Sequence, residues 1–288
     1  MGKLDIDKIK IREIGILGAI WIFILHIFSD FLMIPVYIVE KIFLYITKSM
    51  FALDTASISF FIESTGSLII KFIMVKWLLK MYSTKEEVEE RKNINISKSY
   101  YGYTIIIILL FRIIFDNSLG FFVDQIPINE GIEEAFNELF KYPIIAIISV
   151  CIVAPIYEEI IYRGIILKGL SKKYNDKVAI IVSALLFAIM HMNLQQGINA
   201  FLLGIVMGYL YTKTKSLYVS IFAHFINNGI GIIVSSILTE SIKLSHNAVL
   251  VQSIVTVAGV ILMYKIIMWF RKNEIILDEE YLFESSKS

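Results

Sequence analysis

Long apolar stretches separated by short polar segments dominate this chain of 288 residues. A helix that crosses a bilayer needs about 20 largely apolar residues. Such stretches predict spans at about 14–34, 57–79, 101–123, 143–167, 178–195, 198–212, 217–238 and 248–270. The segment 36–51 is also apolar, but lysines interrupt it, so it either extends the first helix or lies in the membrane interface. The pattern predicts an all-α, polytopic transmembrane bundle of about eight spans.

The composition strengthens the membrane prediction. Hydrophobic residues make up 57% of the chain and charged residues 18%, against about 45–50% and about 25% in soluble domains. The net charge of +1 provides no field that would attract nucleic acid. The apolar stretches make the lipid bilayer the expected partner. Cys151 is the single cysteine, which excludes an intramolecular disulfide and predicts a buried apolar side chain.

Lysine and arginine predict the orientation, because they concentrate in cytoplasmic connections. They occur in the N-terminus, in the second, fourth and sixth connections and after the last span. This alternation predicts that both termini are cytoplasmic and that the acidic loop 116–141 lies outside. The basic N-terminus followed by an apolar run is similar to a signal peptide, but no small-residue cleavage site follows it. An uncleaved first helix is therefore expected.

Ionisable residues inside the spans indicate where function is located, since a central charge costs about 2.5–3.5 kcal/mol on insertion scales. The densest group lies between Pro155 and Gly164. Glu159 and Arg163 are four residues apart and can pair on one helix face. Glu158 is rotated by about 100° from Glu159, so it can face a cavity and act as a general base.

Two further polar pairs recur at helical spacing. Phe187 and His191 are four residues apart, as are His224 and Asn228. Each group has a structural alternative: a helix end with charges reaching the interface for the glutamates, a satisfied core histidine for His191, and hydrogen bonding between helices for His224 and Asn228. However, counting the helical rise places Glu158 and both histidines in one slab of the bilayer.

Together these residue types can hydrolyse an amide with water. A glutamate and a histidine can deprotonate the water, while a histidine and an asparagine can donate to the oxyanion of the attacked carbonyl. The chain contains neither the Gly-x-Ser-x-Gly nor the His-Glu-x-x-His motif.

At these residues the sequence resembles the CAAX-protease and bacteriocin-processing (Abi) family of intramembrane endopeptidases. Three motifs carry the resemblance: Glu-Glu-x-x-x-Arg at Glu158, Glu159 and Arg163, Phe-x-x-x-His at Phe187 and His191, and His-x-x-x-Asn at His224 and Asn228. The resemblance implies a catalytic core at 143–238. Segment 1–142 then holds N-terminal helices and the acidic loop, and 239–288 holds the last helix and a polar cytoplasmic tail.

The resemblance also implies roles for the motif residues. Glu158 and His191 would activate water, and His224 and Asn228 would form the oxyanion hole. The remaining motif residues, Glu159 and Arg163, would support the site. Zinc is an alternative, with Glu158, His191 and His224 as ligands; a site without a cofactor is favoured, because His224 and Asn228 suit oxyanion donors.

The expected function is hydrolysis of a membrane-associated protein or peptide in a prokaryotic cell membrane. The alternatives are a non-catalytic bacteriocin-immunity protein of the same fold and a transporter or proton pathway, because buried carboxylates and histidines also serve proton relays. The identity of the substrate, its prenylation and the oligomeric state stay open at this point.

Several polar residues fall outside this scheme. Glu63, Lys71 and Arg112 are expected to pair with one another rather than to line a substrate path. The Gly-x-x-x-Gly formed by Gly204 and Gly208 is expected to permit close helix packing. No role is assigned to His26 and His246.

Overall fold

The protein is described by a computed structural model that covers residues 9–48, 55–84, 96–128, 130–237 and 246–274. Within these ranges the chain is almost entirely helical, with an isolated antiparallel bridge between Ile11 and Ser83. The helices are α1 (Ile16–Phe28), α2 (Ile34–Lys48), α3 (Thr55–Tyr82), α4 (Lys98–Asp116), α5 (Leu119–Val123), α6 (Glu130–Phe140), α7 (Pro143–Leu170), α8 (Asp176–Met190), α9 (Leu194–Thr214), α10 (Leu217–Ile237) and α11 (His246–Lys272).

The chain is a multi-pass integral membrane protein with an all-α fold, as predicted. Six stretches of the described residues are long and apolar enough to cross a bilayer: Ile16–Ile46, Ser57–Tyr82, Lys98–Asp116, Pro143–Leu170, Leu217–Val234 and Val251–Lys272. The fifth and sixth predicted spans correspond to α8 and α9, which lie outside this set. Helix α8 has only 15 residues, a length of about 22 Å at 1.5 Å per residue. The count of eight, the cytoplasmic termini and the division at 142 and 238 stay predictions.

Three element boundaries differ from the sequence predictions. Helices α1 and α2 are joined by the 3₁₀ turn Ser29–Met33, so the described part of segment 36–51 extends the first helix; residues 49–51 lie outside the described ranges. The third predicted span breaks after Asp116. Asn117 donates a hydrogen bond to the Ile113 carbonyl at 2.8 Å, a local contact that competes with helix continuation. The acidic segment 116–141 was predicted as a loop, but it contains α5 and α6.

The turn between α8 and α9 is earlier than predicted. Met192 adopts a left-handed conformation with φ 49°, and the Asn193 side chain accepts a hydrogen bond from the Gln196 amide at 3.2 Å. This is the capping pattern of a new helix. His191 is therefore the residue that ends α8, where the sequence had placed it inside a span reaching to 195.

Two contacts each join the ends of a pair of helices. The Ile14 amide donates to the Gly169 carbonyl at 3.0 Å, which joins the chain before α1 to the end of α7. Lys213, near the end of α9, pairs with Glu274, after α11, at 2.6 Å. The charge pattern assigns both pairs of ends to the cytoplasmic face, which stays a prediction.

Small residues allow α8 and α9 to pack closely, as the Gly-x-x-x-Gly spacing predicted. A methyl group on Gly204 would lie 3.0 Å from the Ala184 side chain and 3.3 Å from the Arg163 guanidinium. A methyl group on Gly208 would lie 3.2 Å from Ile180. Gly204 thus leaves space both for a neighbouring helix and for a buried cation.

We expect Gly204→Val to destabilise the protein by about 1–3 kcal/mol, because overpacking a tight contact forces the backbone apart. Thermal unfolding in detergent would measure this. The matched control is Gly231→Ala in α10, where an added methyl meets nothing within 4 Å; it should leave the midpoint equal or higher. Equal midpoints for Gly204→Val and wild type would contradict the close-packing role.

Candidate active site

Helix α7 carries the two glutamates between two π-helical segments. These segments are Ile148–Val153 and Ile160–Leu167, and the α-helical turn Ala154–Glu159 lies between them. A π segment shifts the hydrogen-bond pattern and turns side chains to new directions, and such segments are frequent at functional sites. The two glutamates thus lie on a short α-helical turn between two π-helical segments.

Glu159 is the centre of a fully buried polar network. Arg163 Nη1 donates to Glu159 Oε1 at 2.9 Å, and both side chains have no exposed surface. From α10, Ser220 Oγ donates to Oε2 at 2.7 Å and His224 Nδ1 lies 3.0 Å from Oε1. The predicted ion pair is therefore present, and it also holds α10 against α7.

The cation of Arg163 is bound on three sides. Its Nη2 donates to the Gly204 carbonyl of α9 at 3.0 Å, and its guanidinium lies 4.8 Å from the centre of the Phe187 ring of α8. These contacts and the Glu159 carboxylate compensate a charge that would otherwise be very costly in a membrane protein interior. Arg163 thereby connects α7, α8 and α9.

Glu158 has a different environment from Glu159. Its side chain is 22% exposed, whereas that of Glu159 is completely buried. Glu158 Oε2 lies 3.8 Å from His224 Nε2, which is longer than a hydrogen bond. Because the Glu159 carboxylate can only accept, the facing His224 Nδ1 must carry a proton. His224 Nε2 therefore faces Glu158 without a hydrogen bond between them, so both can bind another molecule placed beside them.

His191 is near this group but is held by its own helix. Its Nδ1 lies 3.0 Å from the Phe187 carbonyl, which can only accept, so the proton is on Nδ1 and Nε2 has a lone pair. The Phe187 ring packs edge-on against both His191 and His224, with centroid distances of 5.1 and 5.7 Å. Phe187 thus contacts both histidines.

Asn228 lies one turn beyond His224 on α10 and is partly buried. Its Nδ2 donates to the Val150 carbonyl of α7 at 2.8 Å. The amide has two N–H groups, so this contact leaves one for another acceptor. The structure therefore brings Glu158, Glu159, Arg163 and His224 into direct contact, with His191 and Asn228 at the margins.

The described residues do not converge as metal ligands. No group of three His, Cys, Asp or Glu side chains among them lies close enough to hold a metal ion. Glu158, His191 and His224 do not form such a group. The arrangement does not fit a zinc site made of Glu158, His191 and His224.

Two residues in this region were missed or left without a role by the sequence reasoning. Ser220 lies one helical turn before His224, and this spacing could have indicated it. His26 of α1 is buried, and its Nδ1 lies 3.1 Å from the Tyr162 hydroxyl. Its ring also packs edge-on against Tyr157. Tertiary packing thus places His26 against the helix that carries the glutamates, although it contacts none of the six motif residues named above.

The expectation that Glu63, Lys71 and Arg112 pair with one another was wrong. Arg112 pairs with Asp116 of its own helix at 3.4 Å. Glu63 lies beside Glu40. The Lys71 ammonium lies 5.8 Å from the centre of a tyrosine ring of α7. Arg112 thus pairs within its own helix, whereas the neighbours of Glu63 and Lys71 belong to other helices. The side chain of His246 lies outside the described part of the chain.

The part of the chain that carries this site is similar to a known family. Residues 140–230 match the family described as type II CAAX prenyl endopeptidase Rce1-like. This part of the chain is similar to the CAAX-protease and bacteriocin-processing family, as its three motifs predicted. The matching segment contains all three motifs and the whole buried network.

Two bacterial proteins are similar to this CAAX-protease-like segment. The Bacillus subtilis (strain 168) protein "Putative membrane peptidase YdiL" is 35% identical over 100 residues, which are 35% of this chain and 41% of that protein. The UPF0177 protein YaiH of Lactococcus lactis subsp. lactis (strain IL1403) is 31% identical over 99 residues, 34% of this chain and 41% of that protein. The chain thus spans about two-fifths of the length of these relatives. No solved structure matches.

Proposed function

We propose that this protein is an intramembrane endopeptidase that hydrolyses a peptide bond of a membrane-associated protein or peptide. The observation that carries the proposal is that His224 of α10 lies beside both Glu158 and Glu159 of α7. All three residues lie in the segment that is similar to the endopeptidase family. A partly exposed carboxylate beside an oriented histidine is an arrangement that activates water. The buried Glu159–Arg163 pair holds that histidine in place.

In the proposed reaction, Glu158 takes a proton from a water molecule whose oxygen attacks the scissile carbonyl carbon. The resulting oxyanion accepts hydrogen bonds from the second N–H of Asn228 and from His224 when it is protonated. The C–N bond then breaks, and the proton held by Glu158 passes to the leaving amine. His191, with a lone pair on Nε2, assists the removal of the proton from water.

Reconstitution tests the peptidase proposal. Purified protein in liposomes is expected to cleave a fluorescence-quenched peptide that carries a lipid anchor. The native substrates can be found by comparing the membrane proteomes of cells that contain wild-type protein or a Glu158→Gln variant. A folded protein that cleaves nothing but protects cells from a bacteriocin would contradict the proposal and support the immunity alternative.

We further propose that the reaction needs no zinc, because the three candidate ligands do not converge among the described residues. Active protein is expected to contain less than one zinc per chain by elemental analysis and to keep its activity after dialysis against a strong chelator. Loss of activity with the chelator and its restoration by zinc alone would overturn this proposal.

A further inference from the structure

Asn228 faces a backbone carbonyl that the helix itself leaves without a donor. Within the first π segment, the Ala154 amide bonds to the Ser149 carbonyl, five residues back. In an α-helix that amide would have served Val150. The next possible donor is at position 155, which is a proline without an N–H group. The π segment and the proline together leave the Val150 carbonyl to be satisfied by a side chain.

This carbonyl fixes the orientation of the Asn228 amide. A carbonyl only accepts hydrogen bonds, so the atom of Asn228 that lies 2.8 Å from the Val150 oxygen is the amide nitrogen. The Asn228 carbonyl oxygen must then point the other way. There it accepts a hydrogen bond from Nδ2 of Asn227 at 3.1 Å. The two asparagines and Val150 form a chain of hydrogen bonds that runs in one direction.

Asn227 is an unfavourable residue for its position on packing grounds alone. Its residue surface is 6% exposed, and its Oδ1 is buried without a hydrogen-bond partner among the described residues. An unsatisfied buried acceptor destabilises a fold, and a leucine of similar shape would avoid it. Residues that violate packing rules in this way are expected where a site needs them.

We propose that Asn227 is a positioning residue that acts through Asn228. By donating to the Asn228 carbonyl oxygen, Asn227 holds the amide plane so that the second N–H of Asn228 is directed at the oxyanion. Donation to an amide oxygen also polarises the amide and strengthens its N–H as a donor. The inference rests on the proposed peptidase function. Asn227 occupies a position that the His-x-x-x-Asn motif leaves unspecified.

The test is Asn227→Leu, which removes the donor and the unpaired acceptor at similar volume. We expect kcat on the lipid-anchored peptide to fall about 10-fold or more, since misplacing a catalytic group by about 1 Å can cost 10²-fold. KM should change less than twofold and the thermal midpoint should stay equal or rise. A structural role alone would instead lower the midpoint together with the activity. If the leucine variant does not fold, Asn227→Ala removes the same donor without added bulk.

A double variant and a control complete the test. In an Asn228→Ala background, Asn227→Leu should lower kcat no further, because the residue through which it acts is absent. The control is Asn199→Leu, which also replaces a buried unpaired Oδ1 but lies on α9, and kcat should be unchanged. Wild-type kcat in folded Asn227→Leu, or additive effects in the double variant, would overturn the inference alone. A wild-type protein without peptidase activity would overturn the proposed function as well.

Discussion

Glu158→Gln is expected to lower kcat/KM by about 10²- to 10⁴-fold, the usual contribution of a general base. Glutamine keeps the shape of the side chain but cannot accept the proton from water. Stability should change little, because Glu158 is partly exposed and its neighbour His224 lies 3.8 Å away. Initial rates on the lipid-anchored peptide, together with thermal unfolding in detergent, measure both quantities.

Glu63→Gln is the matched control for this variant, since it makes the same chemical change inside another membrane span, on α3. It should leave kcat/KM within about twofold of wild type, because Glu63 lies beside Glu40 rather than in the buried network. A Glu158→Gln protein with wild-type activity would show that Glu158 is not the base.

Arg163→Met is expected to destabilise the protein by about 3–5 kcal/mol, in addition to abolishing activity. The substitution leaves the completely buried Glu159 carboxylate without its cation. The affected quantity is therefore the free energy of unfolding, whereas Glu158→Gln affects only the rate. Denaturant or thermal unfolding in a mild detergent would measure the difference.

A double variant separates the charge effect from the loss of packing. Arg163→Met combined with Glu159→Gln removes both charges and should recover part of the lost stability, because replacing both members of a buried pair is often nearly neutral. Activity should stay low, because His224 has lost its carboxylate partner. The control Arg112→Met breaks a pair that is partly exposed and should cost less than about 1 kcal/mol. Equal destabilisation by Arg163→Met and Arg112→Met would refute the structural role of the buried pair.

Local geometry explains which parts of the site could be predicted. Glu159 and Arg163 are four residues apart on one helix, so their pairing depends on helical periodicity alone, and the structure contains it. The different exposure of Glu158 and Glu159 also follows from their rotation around the helix axis. By contrast, the contacts of Ser220 and His26 with α7 depend on how separate helices pack.

The prediction of the His191 position failed for a related reason. The predicted fifth span reached residue 195, although polar residues begin at His191. The helix ends earlier because Met192 adopts φ 49° and Asn193 caps the following helix. Capping depends on single polar side chains, which an average over about 20 apolar residues does not resolve.

The sequence by itself determined that this is an all-α membrane protein, that its spans carry costly polar residues, and which six of these form family motifs. These properties follow from hydropathy and from spacing along single helices. The tertiary structure alone decided that Glu159 joins Arg163, Ser220 and His224 in one buried network, that His26 packs against α7, and that Asn227 donates a hydrogen bond to Asn228. Those contacts join residues on different helices or depend on side-chain rotation and the π segments of α7, which no periodic pattern specifies.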